Sequence, residues 1–305
     1  MRRTALFVLT TFILVPSTRE VALAGGANAQ TSPTTSGILA KKWSTTRSSP
    51  FDLELGGELK GLPVGATRYV TREQLLTLPQ VAFTARNDEM FAGPTQVSGV
   101  PLDELARALG RELGSDLVIA VASDGYRSTF PSGYLRAHHP VLVLQVSGKD
   151  PAAWPKDAEH GNDIGPYTVA YDNFLPSFKI FAHADEQQIP WGVIRLEFRD
   201  EKTVYGAIAP RGPHTNDAAV QAGYRIAQQN CFRCHNAGRE GGQKSGRPWL
   251  VLSAWATASP EFFTAYVRDP KTKNPSSAMP GNPNYDDSTM RALIAYFRTI
   301  SAPTR

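Results

Sequence analysis

From residue 51 onward the chain alternates between two periods. Phe51, Leu53 and Leu55 alternate with polar residues, the spacing of a half-buried strand, and Gly56-Gly57 follows as a turn. Thr71-Arg72-Glu73-Gln74 has the spacing of a capping box. It predicts a short helix carrying Leu75, Leu76 and Leu78, stopped by Pro79. Residues 81–85 (VAFTA) read as a strand. Gly99-Val100-Pro101-Leu102 leads into a helix with Leu102, Leu105 and Leu109 on one side, proline at its start and Gly110 at its end. Residues 117–122 (LVIAVA) form an unbroken apolar run, the mark of a strand covered on both faces. Asp124-Gly125 is a turn, and Tyr126 opens the next strand. Residues 141–146 and 192–198 predict two more strands. Strands and short helices mix without strict βαβ order, so residues 51–208 are predicted to be an α+β domain.

The Pro/Gly-rich stretch 209–215 (APRGPHT) is the predicted linker. Beyond it, in residues 216–305, the helical period takes over. Asn216-Asp217 can cap a helix running to about Gln229, with Val220, Tyr224 and Ile226 near one face. Gly223 sits where a small residue would let another helix come close. Ser259-Pro260 starts a helix with Phe262, Phe263, Tyr266 and Val267, and Asp269-Pro270 ends it. A last helix over 287–300 repeats Met290, Leu293, Ile294, Tyr296, Phe297 and Ile300 at helical spacing. This second domain is predicted to be all-α.

The N-terminus adds an export signal. Arg2 and Arg3 precede an apolar stretch over 5–15, and Ala27-Asn28-Ala29 has the form of a cleavage site. The stretch is short of the ~20 apolar residues that span a bilayer, although retention as an uncleaved anchor stays open. Residues 1–29 hold three arginines against one glutamate, so removing them takes the formal charge from +4 to +2. The expected location is the periplasm or otherwise outside the cytoplasm. Residues 30–50, rich in Ser, Thr and Pro, read as a flexible leader. No basic run or aromatic–basic stripe supports nucleic-acid binding, and no later segment qualifies as a membrane span.

The candidate chemistry lies at Cys231-Phe232-Arg233-Cys234-His235, which is C-x-x-C-H. Two thiols at this spacing can each add to a vinyl group of a haem, and the following histidine can ligate its iron. These are the 2 cysteines of the chain. A zinc site would need further ligands at a suitable spacing, and a redox C-x-x-C would sit in a βαβ unit. Neither context is present in the sequence.

The helix ending at this motif, the glycine-rich loop 236–247, Pro248, the loop 274–281 with Met279-Pro280, and the final helix together resemble a class I cytochrome c over about 215–302. The resemblance implies one covalent haem c on Cys231 and Cys234. It implies His235 and Met279 as axial ligands of the haem iron, with His214 or an open site as alternatives to Met279. Pro248 matches the position whose carbonyl holds the second ring nitrogen of the proximal histidine, although an ordinary loop proline is an equal reading. In the first half, Gly99-Val100-Pro101-Leu102 with Leu105, Asp124-Gly125-Tyr126, Ser147-Gly148-Lys149 after the strand 141–146, Gly165-Pro166-Tyr167 and the strand near 191–198 occur in an order that resembles the molybdopterin-binding domain of the sulfite oxidase family. That family ligates molybdenum through a cysteine upstream of the G-V-P-L stretch. Residues 80–98 contain none, so composition excludes a thiolate-ligated molybdenum centre, and the domain resembles a degenerate member of that family.

His138-His139 and His183 show no ligand spacing and read as core or surface histidines. No carboxylate pair stands out as a catalytic acid and base, so no catalytic residue is assigned. The expectation is an exported monohaem electron carrier more than a self-contained enzyme. Its first domain would be a docking or scaffold module, and its partner a periplasmic dehydrogenase or terminal acceptor. The alternative is a periplasmic oxidoreductase whose first domain binds a molybdopterin-type cofactor or small substrate and passes electrons to the haem.

Overall fold

The computed structural model describes residues 42–86, 90–158 and 160–300. The predicted export signal at 1–29 and the first part of the leader lie outside the described residues. The described residues all fall in one compact unit.

The N-terminal region is a mixed α/β structure. In chain order it comprises β1 (Leu53–Gly57), β2 (Arg68–Val70), α1 (Arg72–Leu76), β3 (Val81–Ala85), β4 (Thr95–Pro101), α2 (Leu102–Ala108), β5 (Leu117–Ala122), β6 (Arg127–Pro131), α3 (Ser132–His138), β7 (Val141–Val146), β8 (Thr168–Ala170), β9 (Lys179–Ile180), β10 (His183–Ala184), β11 (Val193–Arg199) and α4 (Glu201–Gly206). One sheet has the order β2-β1-β11-β5-β6 and a second the order β3-β4-β7-β8. β1 and β11 pair in parallel, while the other neighbours in both sheets run antiparallel. The helical C-terminal region comprises α5 (Ala218–Gln229), β12 (Asn236–Ala237), β13 (Glu240–Gly241), α6 (Trp249–Ala258), α7 (Pro260–Arg268) and α8 (Asp287–Ile300).

Local sequence explains most element ends. Thr71 makes the expected capping box with Gln74, each side chain bonding the other's backbone N–H. Asp200 caps α4 by accepting from Thr203 N. The end of the leader is pinned: Ser44 exchanges both backbone bonds with Tyr69 at 2.9 Å, and the Asp52 carboxylate accepts from Ser48 and Ser49.

β5 explains how the two regions join. Strand residues alternate faces, and here both faces meet apolar side chains. Val118 and Ala120 belong to the core between the two sheets, with Leu55, Phe130 and Leu196. Leu117, Ile119 and Val121 face a second core made with α4 and the C-terminal helices, including Phe232, Trp249 and Tyr296. This double covering is why residues 117–122 read as a continuous apolar run.

Ion pairs border the same face. Arg127 pairs with Glu197 at 2.5 Å, and Arg199 pairs with Glu240 of β13 at 2.6 Å. Among the C-terminal helices, Gly223 lies against Ala292. A Cβ there would sit 2.1 Å from the Ala292 carbonyl oxygen, so only glycine lets α5 and α8 cross this closely.

Candidate haem site

The attachment motif is the frayed end of α5. Cys231 and Phe232 N–H both donate to Ala227 O, and His235 N–H donates to Cys231 O at 3.0 Å. The turn this creates carries Cys231, Cys234 and His235 within one short stretch. Phe232 anchors it, fully buried with its ring 5.5 Å from that of Trp249 and 6.1 Å from Tyr205. The following loop folds back onto the turn, with Gly242 N–H donating to Phe232 O at 2.9 Å. A Cβ on Gly242 would lie 1.7 Å from Arg233 O. Gly241, at φ +84, would put a Cβ 2.5 Å from His235 O. Two glycines in this loop are therefore steric requirements of the attachment turn.

Both cysteines are free thiols. Burial pushes the Cys231 thiol up to about 12, reinforced by neighbouring Cys234, and burial also raises Cys234. Each therefore holds its proton at neutral pH.

His235 is buried, and its Nδ1 donates to the Arg247 carbonyl at 2.6 Å. That bond fixes the tautomer and leaves Nε2 with its lone pair. Burial lowers the His235 pKa, against the opposing bond to the Arg247 carbonyl and with the Arg247 charge adding to it, and so favours the neutral ring. The acceptor is Arg247 and not Pro248, which corrects the expectation. Pro248 is the N-cap of α6, and its carbonyl accepts from Val251 N–H at 2.9 Å. The residue before a proline is held extended, which turns the Arg247 carbonyl away from the helix and toward the histidine.

Met279 is half-buried and packs in the same apolar cluster as Cys231, Tyr285 and Met290. Its backbone N–H donates to Ser277 Oγ, which pairs with Tyr266 OH at 3.1 Å. The Arg247 guanidinium lies over the rings of Trp255 and Tyr266 at 5.4 and 5.6 Å. Arg247 and Tyr266 thus tie the histidine's acceptor to the methionine loop. His214 is exposed, with Nδ1 3.0 Å from Asp217 Oδ2, and nothing brings it to this cluster.

The N-terminal region closes against the attachment turn through its main chain. Arg127 N–H donates to Arg233 O at 2.9 Å, and Gln243 N–H donates to Gly125 O at 2.8 Å. Lys244 pairs with Asp124 at 2.6 Å. The hairpin of β9 and β10 covers another side. Ile180 joins the shared core, and the His183 ring meets that of Tyr285 edge-on at 5.0 Å. His183 Nε2 lies 3.1 Å from Asn230 Nδ2 and 3.2 Å from a Glu186 oxygen. Burial lowers its pKa against the opposing pull of Glu186.

His138 is a buried core histidine, as its sequence context suggested, with Nε2 2.7 Å from Asp185. Among the described residues no three His, Cys, Asp or Glu side chains are placed to hold a metal ion.

The donor set fits a haem: two protonated thiols and a neutral imidazole on one turn, and a thioether in the cluster that contains the first thiol. Arg247, Tyr266 and Arg233 were not among the sequence candidates. The signal for Arg247 was its place before a proline.

Comparison with known proteins agrees for this part of the chain. A family model described as cytochrome c oxidase, cbb3-type, subunit III matches residues 218–297. Cytochrome c oxidase subunit 2 of Alkalihalophilus pseudofirmus is 28% identical over 116 residues, covering 35% of this chain and 33% of that protein. The chain therefore spans about a third of the length of the curated relative it matches. The sulfane dehydrogenase SoxCD from Paracoccus pantotrophus aligns with a TM-score of 0.35 at 15% identity, over 56% of this chain and 45% of that one. At that score the likeness carries no argument. Residues 218–297 form a cytochrome c domain. Such a domain implies a haem cofactor and a redox partner. Among the described residues no helix is long and apolar enough to cross a membrane.

Proposed function

We propose that this protein is an exported monohaem c-type cytochrome that carries single electrons. Cys231 and Cys234 hold the haem covalently, and His235 and Met279 ligate its iron. With both axial positions filled by protein, the haem exchanges electrons and does not bind substrate, and thioether ligation favours the reduced iron. Arg247 orients the proximal ring, Tyr266 and Ser277 hold the methionine loop, and the shared core excludes water. The N-terminal region serves as scaffold and docking module for a periplasmic dehydrogenase or terminal acceptor.

The observation that carries this reading is the bond from His235 Nδ1 to Arg247 O at 2.6 Å, which leaves Nε2 available on the turn that carries two half-buried thiols. The test is expression in a host competent in haem attachment, followed by mass, metal content and spectra. The expected result is one covalent haem and iron without molybdenum, with a low-spin spectrum that Met279→Ala converts to high-spin. A parent chain without covalent haem refutes the reading. A high-spin parent refutes Met279 as ligand.

A further inference from the structure

Arg233 stands between the two cysteines, and its side chain leaves the attachment turn toward the N-terminal region. The residue as a whole is half-buried, but its Nε and Nη2 are shut off from solvent and lack hydrogen-bond partners among the described residues. Its electrostatic neighbours include the phenols of Tyr126 and Tyr134 and the carboxylate of Glu186 from the N-terminal region, with His183 of that region and Tyr285 of the C-terminal region also within its field. Its carbonyl is held by Arg127 N–H. A guanidinium stays protonated even when buried. The chain thus keeps a fixed positive charge two residues from His235, with two of its three guanidinium nitrogens shut off from solvent.

We propose that Arg233 sets the reduction potential of the haem: its buried charge disfavours the more positive ferric state, and Glu186 partly offsets it. The inference rests on the haem reading above. It gives the N-terminal region a further role, because its packing keeps part of this guanidinium out of water, where the charge acts more strongly. The separation from the iron is roughly 10–15 Å by the span of two residues and one side chain. At an effective dielectric constant of about 20, a unit charge at that range changes the ratio of reduced to oxidised haem by about tenfold. For one electron that is about 59 mV.

The test is a spectroelectrochemical titration of the haem-loaded full chain, as parent, Arg233→Gln, Arg233→Lys and Glu186→Gln, at low and high salt. Arg233→Gln is expected to lower the midpoint by about the tenfold equivalent. Arg233→Lys should restore most of it, and Glu186→Gln should raise it. The Arg233 shift should largely persist at high salt, since buried charges are little screened, whereas the Glu186 shift should shrink because that side chain is 35% exposed. If Arg233→Gln does not fold, the opposite-signed shift in Glu186→Gln and the retained midpoint in Arg233→Lys still decide. A parent without haem overturns the haem reading and this inference with it. A haem-loaded Arg233→Gln at the parent midpoint, or variants that all shift in one direction, overturn this inference alone.

Discussion

Tyr296 gives the sharpest quantitative prediction about how the cytochrome helices are held. Its hydroxyl donates to the Ile208 carbonyl at 2.5 Å and accepts from Trp249 Nε1–H at 3.0 Å. One buried oxygen thus ties α8 to α6 and to the end of the N-terminal region. Tyr296→Phe removes that oxygen and little volume, so the loss is not one of packing. It leaves an indole N–H without its acceptor and a carbonyl without this donor. A buried polar group left unsatisfied costs about 1–3 kcal/mol, so the pair together costs about 2–6, centred near 4 kcal/mol. For a protein of this size, an unfolding entropy of about 2.1 cal/mol/K per residue makes 1 kcal/mol worth roughly 1.5–2 °C in Tm, and the expected fall is about 6–8 °C. Tyr224→Phe is the internal control. Its hydroxyl donates to Tyr205 O at 3.1 Å from a half-buried position, where water can take the phenol's place, and a fall of only about 1–3 °C is expected. Calorimetric melts of the haem-loaded proteins measure both. Equal falls in the two variants, or a fall below about 2 °C in Tyr296→Phe, would refute the bridging role.

Two further predictions concern the loop and the last helix. Gly242→Ala forces a Cβ against Arg233 O, where 1.7 Å is available, so the attachment turn must shift and both haem incorporation and Tm should fall. Gly246→Ala, with nothing within 4 Å of its Cβ, should match the parent in both readouts. The Asp286 carboxylate is lowered to about 2, mainly by the Thr289 backbone N–H, with the Ser288 hydroxyl adding to it. A carboxylate depressed from its ordinary value near 3.9 stabilises the fold above that pH, and its contribution is lost as pH falls through about 2. Asp286→Ala should therefore lower Tm at pH 6–7. The difference from the parent should shrink between about pH 4 and pH 2, and a difference constant across that range would count against the capping role.

What the residues disclosed depended on whether the signal was local. The attachment motif, the Thr71 capping box and the amphipathic period of α8 are carried by neighbours in sequence, and each is legible without knowing the rest of the chain. α6 was missed because WLVLSAWATA is apolar nearly all round, which erases the one-sided period that marks a helix. Pro248 was placed one residue too late, since the choice between its carbonyl and that of Arg247 depends on which one the next helix consumes. The burial of Arg233 could not be read at all, because its neighbours Tyr126, Tyr134 and Glu186 come from separate elements about 50 to 110 residues upstream.

The double-faced β5 bears on what the N-terminal region does for the haem. A tethered module would leave the attachment turn's polar backbone to water. Here Gly125 and Arg127 take two of its main-chain partners, while Leu117 and Ile119 fill the core beneath it. Fully burying two such side chains stabilises the joint by about 1.5–3 kcal/mol each, and the paired backbone groups would each cost energy if exposed unpaired in a dry interface. Separating the two regions would therefore expose the underside of the cytochrome core and hydrate the two enclosed nitrogens of Arg233 in the same event. Stability of the helical region and the charge environment of its haem are, on this structure, consequences of one contact. A change in β5 aimed at stability should consequently register in the haem's midpoint as well.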